Sequence, residues 1–141
     1  MIRTVRVGDA GKLVPLMKDL GYPSTKEQMK KRLTRILSKG DFKTFVWEEY
    51  NELLGMIGMT YCEAYHTDDP HVRVIAFVVR ESAQGKGIGK QLMQKAENWA
   101  LQTGAKTIML NSGNRDDRES AHHIYHQLGF EGRATGFYKK I

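Results

Sequence analysis

Apolar and polar positions alternate from Ile2 to Val7, which predicts a first strand. The spacing then turns helical: Leu13, Leu16, Met17 and Leu20 form one stripe, with Asp9 placed to cap it and Gly21 to end it. Ser24, followed three residues on by Glu27, reads as a capping box opening a second helix that carries Met29, Leu33, Ile36 and Leu37. Thr44 to Glu48 and Leu53 to Cys62 read as a hairpin turned near Tyr50-Asn51-Glu52. The run Val72-Arg73-Val74-Ile75-Ala76-Phe77-Val78-Val79 is β-branched and mostly apolar, as a strand covered on both faces should be. Behind it Ile88, Leu92, Met93, Ala96, Trp99 and Ala100 recur at helical spacing until Gly104. Thr107 to Leu110 is the next strand, and a right-handed crossover makes it parallel to the Val72 strand. A helix from about Arg118 to Leu128 stops at Gly129, and residues 130–141 supply one or two final strands. The predicted order is β-α-α-β-β-β-α-β-α-β, an α/β fold with a mixed central sheet.

Composition narrows the class. A chain of 141 residues suits one domain over 1–141, with room for a real core. One cysteine, Cys62, rules out an internal disulfide framework, and a lone cysteine on a strand reads as a small buried hydrophobe. No apolar run reaches membrane-spanning length, and Met1 to Val5 lacks a signal-peptide core, so a cytoplasmic protein without membrane partners is the expectation. The net charge of +6 suits an anionic ligand. The lysines read as spread along the chain with no aromatic interleaving, so nucleic acid is not expected and most of the charge is assigned to solvated surface. His122 and His126 share a helix face, but His123 stands where His-Glu-x-x-His needs glutamate, and no metal is expected.

The chemistry-bearing feature is Gln84-Gly85-Lys86-Gly87-Ile88-Gly89, a glycine turn between strand and helix. Such a junction aims unpaired N–H groups and the positive helix end at one point, and glycine removes the Cβ atoms that would hold a ligand off. A phosphate or pyrophosphate is the expected occupant, with Lys86 and Lys90 adding local charge. A Walker loop is excluded, because Gly89-Lys90 is followed by Gln91 and Gln84 stands where its first glycine belongs. The dinucleotide fingerprint also fails, with Lys90 or Leu92 at the last glycine position.

The remaining pattern, Gln-x-x-Gly-x-Gly, resembles the acyl-CoA pyrophosphate loop of the GNAT superfamily of N-acetyltransferases. Ala121-His122-His123-Ile124-Tyr125-His126-Gln127-Leu128-Gly129-Phe130 is similar to that family's Ala-x-x-x-Tyr-x-x-x-Gly-Phe segment, in the right order after the loop. The resemblance implies acetyl-CoA as cosubstrate, with pantetheine lying as an added strand between two splayed parallel strands. Phe77, Val78 and Val79 would then offer backbone, and Gln84, Gly85, Lys86, Gly87, Ile88, Gly89 and Lys90 would cradle the pyrophosphate. The Phe77 N–H would serve the oxyanion, and Tyr125 would protonate the departing thiolate. Arg118 stands where many relatives carry an asparagine that contacts pantetheine, and Ile75 and Ala76 where many carry a glutamate. Glu63, His66 and His71 are left as candidate bases acting through water. The run Arg118-x-x-Ala121-His122-x-x-Tyr125 resembles a subgroup that includes aminoalkylphosphonate acetyltransferases. That sharpens the family and not the substrate. A small amine is the expected acceptor because a compact chain with short loops has no added module for gripping a protein, a homodimer being allowed. In the resembled fold residues 21–25 and 136–138 would flank its pocket, with Lys26, Arg118 and Arg133 favouring an anionic group on it. Acetylation of a protein amine and a noncatalytic acyl-CoA-binding module are the alternatives.

Overall fold

The computed structural model describes residues 1–111, 119–133 and 136–141, with backbone alone for 119–122. Its elements run β1 (Ile2–Thr4), α1 (Ala10–Leu20), α2 (Lys26–Leu37), β2 (Phe42–Glu49), β3 (Glu52–Cys62), β4 (His71–Val79), α3 (Ile88–Gln102), β5 (Thr107–Leu110) and α4 (Glu119–Gln127). Short 3-10 turns at Val7–Asp9 and Glu81–Ala83 lead toward α1 and away from β4. The five strands lie in the order β1-β2-β3-β4-β5, antiparallel as far as β4 and parallel between β4 and β5.

Two apolar layers hold the sheet. On one face α3 sets Ile88, Leu92, Met93, Ala96 and Ala100 against Phe45, Ile57, Met59, Val72 and Val74. On the other, Leu13, Leu16 and Met17 of α1 and Met29 and Leu33 of α2 pack on Val46, Leu53, Met56 and Val78. β4 contributes to both layers because Ile75 is an extra residue: Met59 pairs with Val74 and Gly58 with Ala76, so Ile75 has no partner on β3. This bulge reverses which side chains point where. Val72 and Val74 before it face α3; after it Phe77 and Val79 face α3 while Ala76 and Val78 face α1.

The hairpin turns at Tyr50 and Asn51, both at positive φ, as expected. Other expectations need correction. The cap of α2 is one residue later than predicted: Gln28 N–H donates to Thr25 Oγ1 at 3.1 Å and the Gln28 side chain accepts from Thr25 N–H. Asp9 does not cap α1 through its side chain; its carboxylate instead binds the Arg3 guanidinium, both bonds 2.8 Å, and the Arg6 amide. No strand forms among the described residues of 130–141, where Phe137, Tyr138 and Ile141 are exposed and bury nothing that would offset ordering the tail.

Candidate functional site

The β4–β5 ladder is short. It runs from His71–Thr107 to Val74–Leu110, and beyond it β4 continues for five residues with no partner on that side among the described residues. A notch therefore opens between the strands at the bulge.

Which groups of β4 face this notch follows from the other edge. Arg80 N–H donates to Leu54 C=O at 2.8 Å, which turns the backbone of Arg80 toward β3. Backbone polar groups alternate sides along a strand, so Val78 and Ala76 also face β3, while Phe77 and Val79 turn their N–H and C=O into the notch. The Val79 carbonyl shows the same orientation independently, because it accepts the Gln84 side-chain amide at 3.3 Å. Val78 was expected to offer backbone here and does not: its polar groups serve β3 and its side chain is buried on the α1 layer.

The glycine turn closes the end of the notch. Gly85 at φ 81° and Gly87 at φ 80° hold left-handed conformations that a side chain would strain, and Gly87 occupies the N-cap of α3 with no side-chain cap. Gln91 is the first residue to donate back into the helix, to Gly87 C=O at 3.1 Å, which leaves the amides of Ile88, Gly89 and Lys90 without intrahelical partners. A Cβ built on Gly85 would meet nothing within 4 Å, so the turn borders open space. The cradle fits a pyrophosphate, with Lys86 and Lys90 exposed beside it.

α3 holds this cradle against β4. A side chain at Gly55 would collide with Leu92 at 2.9 Å and crowd Ile88 at 3.2 Å, whereas a Cβ at Gly89 would only touch Phe77 and Val79, each at 3.5 Å. Small residues at the contact thus set how closely the loop approaches the notch.

Tyr125 comes to the same place from α4. Gly129 at φ 93° turns the chain so that Phe130 N–H donates to Tyr125 C=O at 3.0 Å, and the two rings meet edge to face at 6.3 Å. On its other side the half-buried Tyr125 ring lies 6.5 Å from Phe77. The Tyr-x-x-x-Gly-Phe spacing is therefore a device for clamping one tyrosine between Phe130 and the notch.

The candidate bases are not brought there. His71 opens β4 opposite Cys62, and six residues of strand, about 20 Å, separate it from Phe77. Glu63 follows Cys62 at that remote end and accepts from Tyr61 Oη at 2.6 Å, a bond that raises the tyrosine pKa. His66 is exposed in the link between β3 and β4. Arg118 lies outside the described residues. Lys26 lays its methylenes along Gly11, and the exposed Arg133 pairs with Glu131 at 3.0 Å. Gln84, expected only in the cradle, also ties the loop to Val79. One participant escaped the sequence reading: the Ile75 bulge sets the fork, and a bulge leaves no mark in a mostly apolar run.

Comparison with known proteins agrees with this geometry. The sequence profile of the acetyltransferase (GNAT) family matches residues 14–130. The uncharacterised N-acetyltransferase YhdJ of Bacillus subtilis (strain 168) is 26% identical over 128 residues, covering 90% of this chain and 88% of that protein. A GNAT family acetyltransferase of Staphylococcus aureus superposes with a TM-score of 0.85 at 28% identity, covering 100% of this chain and 98% of that one. An aminoglycoside acetyltransferase from an uncultured soil metagenomic sample, solved with sisomicin, shares the fold at a TM-score of 0.78 and 18% identity, covering 100% of this chain and 95% of its own.

Proposed function

The chain belongs to the acetyltransferase (GNAT) family, and from that premise we propose that it moves an acetyl group from acetyl-CoA to a primary amine of a small molecule, by direct attack in a ternary complex. The observation that carries the reading is the fork at Val74 and Leu110, which leaves the polar backbone of Phe77 and Val79 facing the notch beside the amides of Ile88 to Lys90. An extended pantetheine arm fits the notch as an added strand, and the pyrophosphate fits the glycine cradle. Acetyl-CoA supplies an activated acyl carbon.

The protein's own groups do the rest. Phe77 N–H donates to the carbonyl oxygen as charge develops on it, a fixed donor that needs no reorganisation. Tyr125, clamped at its ring, gives its hydroxyl proton to the departing sulfur. Proton removal from the amine falls to water, since Glu63, His66 and His71 lie at the wrong end of β4. With the glycine cradle on the α3 face, the acceptor enters from the α1 and α2 face, past the link at 21–25. The subgroup resemblance supports an acceptor that also bears an anionic group, as in aminoalkylphosphonates.

A noncatalytic acyl-CoA-binding role is disfavoured by the placement of Tyr125. The charge carried by α2 favours a second acceptor class, a polypeptide amine. The test is release of free thiol from acetyl-CoA across amines, polyamines, aminoglycosides, aminophosphonates and peptides. Turnover with aminophosphonates or amino acids is expected; binding of acetyl-CoA without turnover of any amine would return the chain to the noncatalytic reading.

A further inference from the structure

The positive charge is not spread along the chain. Six of the 22 lysines and arginines fall between Lys26 and Lys39, with only one of the 16 acidic residues, so this stretch holds +5 of the net +6. Almost all of it is α2.

Met29 and Leu33 fix one side of α2 to α1 and the sheet. Two cations are used at home: Arg32 donates to Ser24 Oγ at 2.7 Å, and Lys26 lies over Gly11. Lys30, Lys31, Arg35 and Lys39 stand exposed, and among the described residues none of them enters an ion pair. They also oppose one another, because Lys26 and Lys30, and Lys31 and Arg35, are spaced four apart on α2, where like charges destabilise a helix. Within α2 only Glu27, four residues before Lys31, offsets part of that repulsion.

The location gives the patch a purpose. α2 lies beside α1 on the face opposite α3, over β2. Arg80, the residue after β4, pairs with Asp19 near the end of α1 at 3.4 Å, so the link at 21–25 and the start of α2 lie toward the open end of the notch. From β2 to β4 is two strand spacings, about 10 Å, and α2 is about 18 Å long.

We propose that the outer face of α2 docks an acidic polypeptide whose amine enters the notch, with Lys30, Lys31 and Arg35 as the contacts. This rests on the acetyl-transfer reading and extends it from free small amines to an amine on an acidic chain. With the thickness of the helix layer added to that 10 Å, the path from the notch over α1 to the outer face of α2 is about 20 Å, so an extended peptide needs about six residues to cross and five or six more to follow α2. The charged block therefore begins about six residues from the amine. A nucleic acid matches the charge but not the reaction, because the amino groups on its bases have lone pairs drawn into the ring. An acidic polypeptide brings the charge and a nucleophilic amine together. The exchange balances as before: a C–N bond forms, the C–S bond breaks, one amine proton leaves to water, the sulfur takes one from Tyr125, and water returns a proton to the tyrosinate.

The test uses three peptides with one N-terminus, followed after about six residues by an acidic, a neutral or a basic block. Acetyl transfer and, separately, binding by fluorescence anisotropy are measured on the wild type and on K30E/K31E/R35E. The acidic peptide should bind and react at least tenfold better than the neutral one at low salt. That preference should vanish at high salt and in the triple variant, while thiol release with a small neutral amine is unchanged. Equal binding of acidic and neutral peptides, an acidic preference that survives in the variant, or tighter binding of a single-stranded oligonucleotide of equal charge would overturn the proposal. Loss of transfer to every amine with the acidic preference in binding intact would instead fault the transfer reading and leave the docking surface standing.

Discussion

Among the described residues Tyr125 is held by its ring and not by its hydroxyl: Phe130 and Phe77 lie 6.3 and 6.5 Å from it. Tyr125→Phe keeps that packing and removes only the proton. We predict a fall in kcat of about 10²-fold, near the lower end for a positioned acid because a thiolate is already a tolerable leaving group. Acetyl-CoA affinity should stay unchanged, since the proton matters only as the C–S bond breaks. Equal kcat for the two proteins where chemistry limits the rate would remove the hydroxyl from the mechanism. Asp9 makes a different kind of contribution. Its buried carboxylate is held below the usual carboxylate range, mainly by hydrogen bonds from Arg3, which also binds Glu48 at 3.1 Å. A depressed carboxylate stabilises the fold fully above its unfolded pKa, near 4, and loses that effect as pH falls through the folded value. Asp9→Asn should therefore cost about 2 kcal/mol at pH 7. The gap to wild type should close in urea titrations carried progressively below pH 4, and a gap independent of pH would assign the loss to packing.

At the scale of elements, the approach of α3 to the sheet depends on Gly55. A Cβ there would lie 2.9 Å from Leu92 and 3.3 Å from the Val78 carbonyl. The Leu92 end can rotate away, but the backbone carbonyl cannot. Gly55→Val should destabilise the protein by about 1–3 kcal/mol, the usual cost of overpacking, and shift the glycine cradle off the notch so that acetyl-CoA binds more weakly. Unaltered melting and affinity would show that α3 tolerates displacement. Elements of this kind were legible where the signal is local. The stripe of α3, the turn at Tyr50-Asn51 and the helix stop at Gly129 are each written in a few neighbouring residues. The cap of α2 slipped by one because Ser24-x-x-Glu27 and Thr25-x-x-Gln28 are equivalent as patterns, and only backbone geometry selects between them. The Ile75 bulge was invisible because Val74, Ala76 and Phe77 around it are all apolar, so the pattern shows no change of phase.

For the whole molecule, the division of labour is between faces: α3 and the glycine cradle on one, α1 and cationic α2 on the other, with the notch passing between β4 and β5. The sequence showed the cradle and Tyr125 as separate motifs. It could not show that alternation along β4 turns Phe77 and Val79 to the notch and Val78 away, because that depends on the register with β3. Nor could it show that His71 and Glu63 sit at the far end of a nine-residue strand. The central claim is that the row of amides behind Gly87 receives the pyrophosphate of acetyl-CoA. Gly87 is at φ 80°, and valine there would both strain the turn and thrust methyls toward the ligand's path. The direct measurement is calorimetric titration of acetyl-CoA into the wild type and Gly87→Val, with circular dichroism to show that the variant is folded. Wild-type affinity on the order of micromolar, with a loss of at least tenfold in the folded variant, is the predicted result; equal affinity in the two would contradict the account.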